Sequence, residues 1–406
     1  MKSEKLLYFF NILVSRVINA GKAIDSVQPS EILCIKWDEI GDMATALAVF
    51  PLLKKQYPKA KITVLCKPFA GSLLDNNPHI HAVIHDVNEW QSRYDLVVEL
   101  RGTWKTMWRS LHPKFWPVFR VDRGWIRFLQ RGNQPHEVIT NLRTIEPLLK
   151  DNHRTHGSSN GNSSTKNFTP NNLRDELGSQ PLLFPSASDE CDAEEWLSKA
   201  RNEAISRMGD IPVGMAIIHA GARKSLRQWP LENFAEVSRW LWSERKIWSI
   251  WVCTQEEKSD IQKVYSPDLG TLWVSEEAEP KNTSLLAFYA LIKRSSVFIG
   301  NESGPLQLAD LAGIPLLGLF GPGVPHVFYP FNAEVLKLGD VNLQANSSNS
   351  DNDTTGEKSP MKLVIHCLLA CNPCDQEHCI HPQRPCMHRI SISIVLEELK
   401  NRLLTQ

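Results

Sequence analysis

FIGNESGPLQLADLAGIPLLGLFGPGVP, residues Phe298 to Pro325, compresses a strand, a polar turn, a helix and a second strand into one continuous segment. Val297, Phe298 and Ile299 form a short apolar run that stops at Gly300-Asn301-Glu302-Ser303-Gly304-Pro305. Leu306, Ala309, Leu311 and Ala312 then recur at near-helical spacing. Ser303 is placed to cap this helix, Pro305 to sit in its first turn, where a missing amide hydrogen costs nothing, and Gly313 to close it. Pro315 to Phe320 reads as a fully buried parallel strand. A turn of this kind aims free backbone amides and the positive end of a helix dipole at one point, which suits an anion. Taken alone, an ordinary capped strand-helix-strand unit fits these residues equally well.

The same alternation recurs on both sides of the segment, from about residue 30 to 150 and from about 191 to 406, and predicts two Rossmann-like, doubly wound α/β domains facing each other. Glu31 to Trp37 is a buried strand that leads through Asp38-Glu39-Ile40-Gly41-Asp42 into a helix. Asp42 therefore lies at the carboxyl end of the first strand, where open α/β folds bind ligands, although an aspartate there can also simply cap the helix. No GxGxxG follows this strand, which argues against a nicotinamide or flavin site. Val213 to His219 opens the second region, and Arg223, Lys224 and Arg227 sit in the loop before its first helix. Basic side chains and loop amides together suit a diphosphate, and this loop lies at a strand end of the same sheet as the Glu302 turn.

Forty-five basic and 45 acidic residues balance, so no global field calls for nucleic acid. No apolar run is long enough for a transmembrane helix. LLYFFNILVSRVINAGKAI, within residues 1–30, reads as a surface helix, docked on the protein or lying on a bilayer, and makes a poor signal peptide because Arg16 breaks it. Residues 151–181 and 341–360 are too polar to offset their ordering entropy and are expected to be flexible insertions. The domains then fall at residues 31–185 and 186–406, the second ending in a cysteine-rich segment at 366–388 and a helix at about 391–404.

Three blocks in order, ILCIKWDEIGDMATALAVFPLLKKQYPKAKITVLCKP, IIHAGARKSLRQWPLENFAEV and GNESGPLQLADLAGIPLLGLFGP, resemble glycosyltransferase family 9, the lipopolysaccharide heptosyltransferases of GT-B fold. The resemblance implies inverting transfer of a heptose or related sugar from a nucleotide-sugar donor, ADP-heptose in the best-known members, to a lipopolysaccharide core or related surface-glycan acceptor. It puts the protein in the cytoplasm, peripheral on the inner face of the cytoplasmic membrane. Asp42 matches the family's general base and Arg227 stands where a lysine neutralises the departing diphosphate. Lys224, Glu256, Glu302, Ser303, Gly304 and Gln307 are the donor-binding candidates, with Glu257 an alternative to Glu256. Gly41 falls in the acceptor-side turn. Glu302 and Gln307 replace an aspartate and a histidine, which leaves the sugar open. A catalytically weak nucleotide-sugar-binding or scaffold protein and a GT-B epimerase-type enzyme are the alternatives.

Between Arg101 and Arg131, Arg101, Lys105, Arg109, Lys114, Arg120, Arg123, Arg127 and Arg131 face one acid, Asp122, with aromatic residues interleaved. The stretch predicts a basic, aromatic surface for a phosphorylated lipid acceptor, with Arg101, Arg120 and Arg123 in contact; solvated helix faces over a tryptophan-rich core are the plain alternative. Cys371, Cys374, Cys379 and Cys386 have ligand-like spacing for a structural zinc, or are plain reduced thiols. No metal or other cofactor is expected at the reaction centre.

Overall fold

The computed structural model describes residues 2–24, 27–129, 134–149, 180–275, 284–339, 361–374 and 376–404. The insertions read at 151–181 and 341–360 lie outside the described residues, apart from 180 and 181. The chain forms two compact units, residues 1–184 and 185–406.

Unit 1 is built on five parallel strands in the order β3-β2-β1-β4-β5, with β1 at Glu31–Lys36, β2 at Lys61–Cys66, β3 at Ala82–Ile84, β4 at Leu96–Arg101 and β5 at Phe119–Asp122. Central β1 is buried on both faces, as its unbroken apolar run requires, and pairs with β2 on one side and β4 on the other. Its helices are α1 (Lys2–Asn19), α2 (Ile40–Ala44), α3 (Val49–Gln56), α4 (Pro68–Gly71), α5 (Trp104–Ser110), α6 (Gly124–Leu129) and α7 (Glu137–Ile145). Strand order reverses between β1 and β4, so the carboxyl ends of these two strands border the crevice where such sheets take ligands.

The first helix is docked. Val14 and Ile18 of α1 share a small core with Met107 of α5. The Asn19 side chain donates to the Arg120 carbonyl at 2.7 Å and accepts from the Arg120 amide at 2.9 Å, which fastens the helix to β5.

Unit 2 has seven parallel strands in the order β11-β12-β10-β9-β6-β7-β8. They are β6 (Gly214–His219), β7 (Ile247–Cys253), β8 (Thr271–Val274), β9 (Val297–Asn301), β10 (Leu316–Phe320), β11 (Glu334–Leu338) and β12 (Lys362–Cys367). Its helices are α8 (Ala187–Met208), α9 (Leu231–Arg245), α10 (Gln255–Ile261), α11 (Leu285–Lys293), α12 (Gly304–Ala312) and α13 (Ile392–Glu398). A core of Trp229, Phe234, Trp251, Leu317 and Ile365 is closed by Val395 and Leu399 of the final helical segment. Each fully buried indole here finds an acceptor: Trp229 the Ile390 carbonyl, Trp248 the Thr271 hydroxyl and Trp251 the Ser238 hydroxyl. β6 and β9 are neighbours at this sheet's own switch point, with His219 beside Gly300. The basic loop after β6 and the Glu302 turn after β9 therefore leave the sheet side by side, as the sequence predicts.

Candidate active site

In unit 1, β1 delivers Lys36 to its last position and α2 lifts Asp42 in its first turn, one strand end from Arg101 of β4. Lys36 is fully buried and its ammonium sits 3.1 Å from both Asp38 Oδ2 and Glu137 Oε1. Asp38, Asp42 and Glu137 bring carboxylate oxygens within 4.8 Å of one another. Burial first, and the Asp38 carboxylate second, push the Asp42 carboxyl up from 3.8 to about 6. Burial acts on Glu137 in the same direction, but Arg123, Lys36 and Arg127 overcome it and hold that carboxyl well below its usual range. Arg101 Nε reaches Asp38 Oδ1 at 3.3 Å. Four cations thus answer three carboxylates, so the cluster is an ion network of the chain's own making and needs no bound cation to balance it. Among these groups Asp42 is the carboxyl placed to exchange a proton near neutral pH. Thr45 Oγ1 donates to the Asp42 carbonyl at 2.7 Å and accepts from Asn141 at 3.2 Å, tying α2 to α7.

Arg120 and Arg123, expected at a basic surface, are buried. Arg120 is fully enclosed and bonds Glu99, Asn11 and Ser15, while Arg123 grips Glu137 through two bonds of 2.6 and 3.0 Å and donates to the Leu100 carbonyl at 2.8 Å. Arg127 also pairs with Glu137, and Arg109 caps the Trp90 carbonyl and lies over Phe115. Counting acids only inside the stretch missed Glu99 and Glu137, which stand just outside it and neutralise it. Arg101, with about a third of its side chain exposed, is the one of the three proposed contacts that keeps access to solvent.

In unit 2, Asn301 ends β9 fully buried and ties the two loops together, accepting from the Trp229 amide at 3.1 Å and donating to the Ala220 carbonyl at 2.7 Å. Arg227 Nη1 lies 3.2 Å from Glu302 Oε1, and its Nε donates to Gln376 at 2.5 Å. Lys224 pairs with Glu377. Ser303 occupies the cap position of α12, yet its hydroxyl makes no cap bond, and among the described residues its buried oxygen has no hydrogen-bond partner. A hydroxyl left over at a helix N-terminus, with Gly304 opening the helix behind it, is suited to a ligand oxygen. Glu257 rather than Glu256 reaches this loop: a Cβ on Gly221 would collide with the Glu257 carboxylate, while Glu256 is exposed. Its position three residues after Thr254 gives the reason, because Glu257 closes a capping box and turns back over the helix start. Gln307, expected at the donor, instead gives its amide to the Phe328 carbonyl at 2.7 Å.

Cys371, Cys374, Cys379 and Cys386 line an apolar pocket beside Leu226, and all are free thiols. Among the described residues no three of their sulfurs gather within metal-ligand spacing, and burial pushes the Cys386 thiol up to about 12. As placed, the described sulfurs do not form a zinc ligand set.

Lys36, Glu137 and Asn301 escaped the sequence reading. Lys36 was visible as a charge ending an apolar strand, and Asn301 as a polar residue inside a buried run; nothing local marked Glu137.

Two parallel sheets, each with a polar site beyond its switch point, are the architecture of the GT-B fold. A glycosyltransferase family 9 structure from Veillonella parvula matches over 94% of this chain and 99% of its own, with a TM-score of 0.61 at 15% identity. The structure of E. coli ADP-heptose lps heptosyltransferase II matches over 92% and 99%, with a TM-score of 0.59 at 19% identity. In sequence, residues 182–358 match the profile of Glycosyltransferase family 9 (heptosyltransferase). Lipooligosaccharide heptosyltransferase 2 of Haemophilus influenzae is 22% identical over 76% of this chain and 88% of its own length. Lipopolysaccharide heptosyltransferase 3 of Escherichia coli is 24% identical over 71% and 82%. Residues 182–358 thus match glycosyltransferase family 9, and the curated relatives of the chain are heptosyltransferases, which together support a glycosyltransferase.

Proposed function

We propose that the protein transfers a heptose from ADP-heptose to a lipopolysaccharide core acceptor with inversion at the anomeric carbon. In this reading an acceptor hydroxyl oxygen bonds to the anomeric carbon, the bond from that carbon to the diphosphate oxygen breaks, and the hydroxyl proton passes to Asp42 Oδ. A carboxyl near 6 is mostly ionised at neutral pH and remains basic enough to take a proton as charge develops on the attacking oxygen. Arg227 exchanges its Glu302 partner for the departing diphosphate, and Ser303 Oγ with the α12 amides receives a second oxygen. Arg101 is left as the acceptor-side cation. The observation that carries the reading is the buried Ser303 hydroxyl, unpartnered among the described residues, at a helix N-terminus next to the Glu302 with which Arg227 pairs.

Purified protein incubated with ADP-heptose and a panel of lipopolysaccharide core acceptors tests it by chromatography of nucleotide and glycan. ADP should appear only when donor and acceptor are both present. ADP release at the same rate without any acceptor would replace transfer by hydrolysis, and absence of release and of donor binding would remove the donor assignment.

A further inference from the structure

Helix α1 carries two faces, and the fold uses one. The inward face holds Val14 and Ile18 together with Asn11 and Ser15, which bind Arg120. The opposite face is more apolar: Leu6, Phe9, Phe10, Leu13 and Val17 recur at i, i+3, i+4, i+7 and i+11 and remain 37% to 56% exposed. This stripe is continued by aromatic rings of the neighbouring helices. Phe10 meets Trp104 of α5 at 5.7 Å between centroids, and Phe9 meets Phe128 of α6 at 5.7 Å. Trp108 and Trp125, one turn after Trp104 and one turn before Phe128 in the same two helices, are 60% and 41% exposed. Three adjacent elements therefore present one apolar and aromatic surface, larger than the scattered exposed residues any soluble protein shows.

Charge selects the partner. The exposed charged residues of α1 from Lys5 onward, and of α5 and α6, are Lys5, Arg16 and Lys105, all basic, whereas Arg109 and Arg127 are spent on the Trp90 carbonyl and on Glu137. Lys5 and Arg16 are eleven residues apart, three helical turns, so they flank the stripe on the same side. The nearby acids are buried, Glu99 and Asp122 against Arg120 and Glu137 against Arg123 and Arg127. Apolar residues with tryptophans, bordered by lysine and arginine and free of exposed acid among the described side chains, match the headgroup and upper acyl region of an anionic bilayer. We infer that the outer face of α1, with Trp108 and Trp125, is a docking surface for an anionic lipid membrane, on which the protein lies without spanning it. The inference stands on the geometry of α1, α5 and α6 and holds whichever sugar is transferred. It resolves the two alternatives the sequence left for this segment in favour of both: one face docks on the protein, the other on lipid.

Flotation of the full chain with phosphatidylcholine vesicles containing roughly 30% phosphatidylglycerol, against pure phosphatidylcholine, is the test. The protein should float with the anionic vesicles, less so at high salt, and weakly with the neutral ones. Leu6→Ser, Leu13→Ser and Val17→Ser together should cut the bound fraction's partition coefficient at least about tenfold. Lys5→Glu with Arg16→Glu, which touches no packed group, should abolish the preference for anionic lipid while leaving the melting temperature unchanged. Failure of the full chain to float, or equal flotation of the charge-reversal protein, overturns the inference. So does concentration-dependent self-association that the serine variant abolishes without any vesicle binding, which would make this face an interface between copies.

Discussion

Asp42 is held in an environment that the folded chain does not favour for its charge. Its carboxyl rises from 3.8 to about 6 because burial and Asp38 both penalise ionisation. Below about pH 4 the group is protonated in folded and unfolded chains alike and the penalty vanishes; above about pH 6 it is fully present. Asp42→Asn should therefore stabilise the fold at pH 8, by no more than about 3 kcal/mol, with the gain shrinking as pH falls toward 4. The same change should lower kcat by about two to four orders of magnitude if Asp42 takes the acceptor proton. Denaturant melts at two pH values beside a turnover assay check both, and a destabilised, active variant would contradict both. The neighbours set where the acidic limb falls. Asp38→Asn removes a charge that raises the Asp42 carboxyl, so the limb should move to lower pH, whereas Arg101→Gln removes one that lowers it and should move the limb up. A kcat profile across the limb reads the opposite signs, and a shared direction would place the ionising group elsewhere.

Elements show why the arginine-rich stretch misled and the phosphate turn did not. Local composition made residues 101–131 look like an unbalanced basic surface, but parallel β4 and β5 carry Glu99 against Arg120, and the start of α7 carries Glu137 against Arg123. Partner identity across strands is set by register, which local charge counting does not see. Arg120→Leu should cost about 3–5 kcal/mol, because Glu99 would be left charged and buried, and should speed amide exchange along α1, whose Asn11 and Ser15 lose their anchor. Exchange unchanged in α1 would show that Val14 and Ile18 hold the helix unaided. The turn before α12 was legible because its signals are adjacent in sequence, yet the cap expected of Ser303 is not made. Ser303→Ala should thus cost less than the usual cap loss of about 1 kcal/mol while weakening nucleotide binding, and the reverse pattern would restore Ser303 to a purely structural role. Thermal melts with and without ADP separate the two.

At the scale of the whole chain, periodicity was enough to give two doubly wound α/β units, since buried parallel strands and intervening helices announce themselves in runs of apolar residues. The placing of Asp42 after β1 and of the Glu302 turn after β9 followed from strand ends alone. Glu257 over Gly221 and Asn301 between two loops did not follow, because each depends on side-chain direction once the sheet is assembled. Two units with separate cores need not melt in a single step, so one melting temperature is a poor gauge of where a ligand sits. Amide exchange is the better measure. Saturating ADP, at about a hundred times its dissociation constant, should stabilise the unit that binds it by about 2.7 kcal/mol. If the cradle between β6 and β9 is the donor site, protection should concentrate at residues 220–228 and 302–308 and should be lost in Ser303→Ala together with Arg227→Gln. Protection that instead gathers around Asp42, or survives the double substitution, would move the nucleotide out of unit 2.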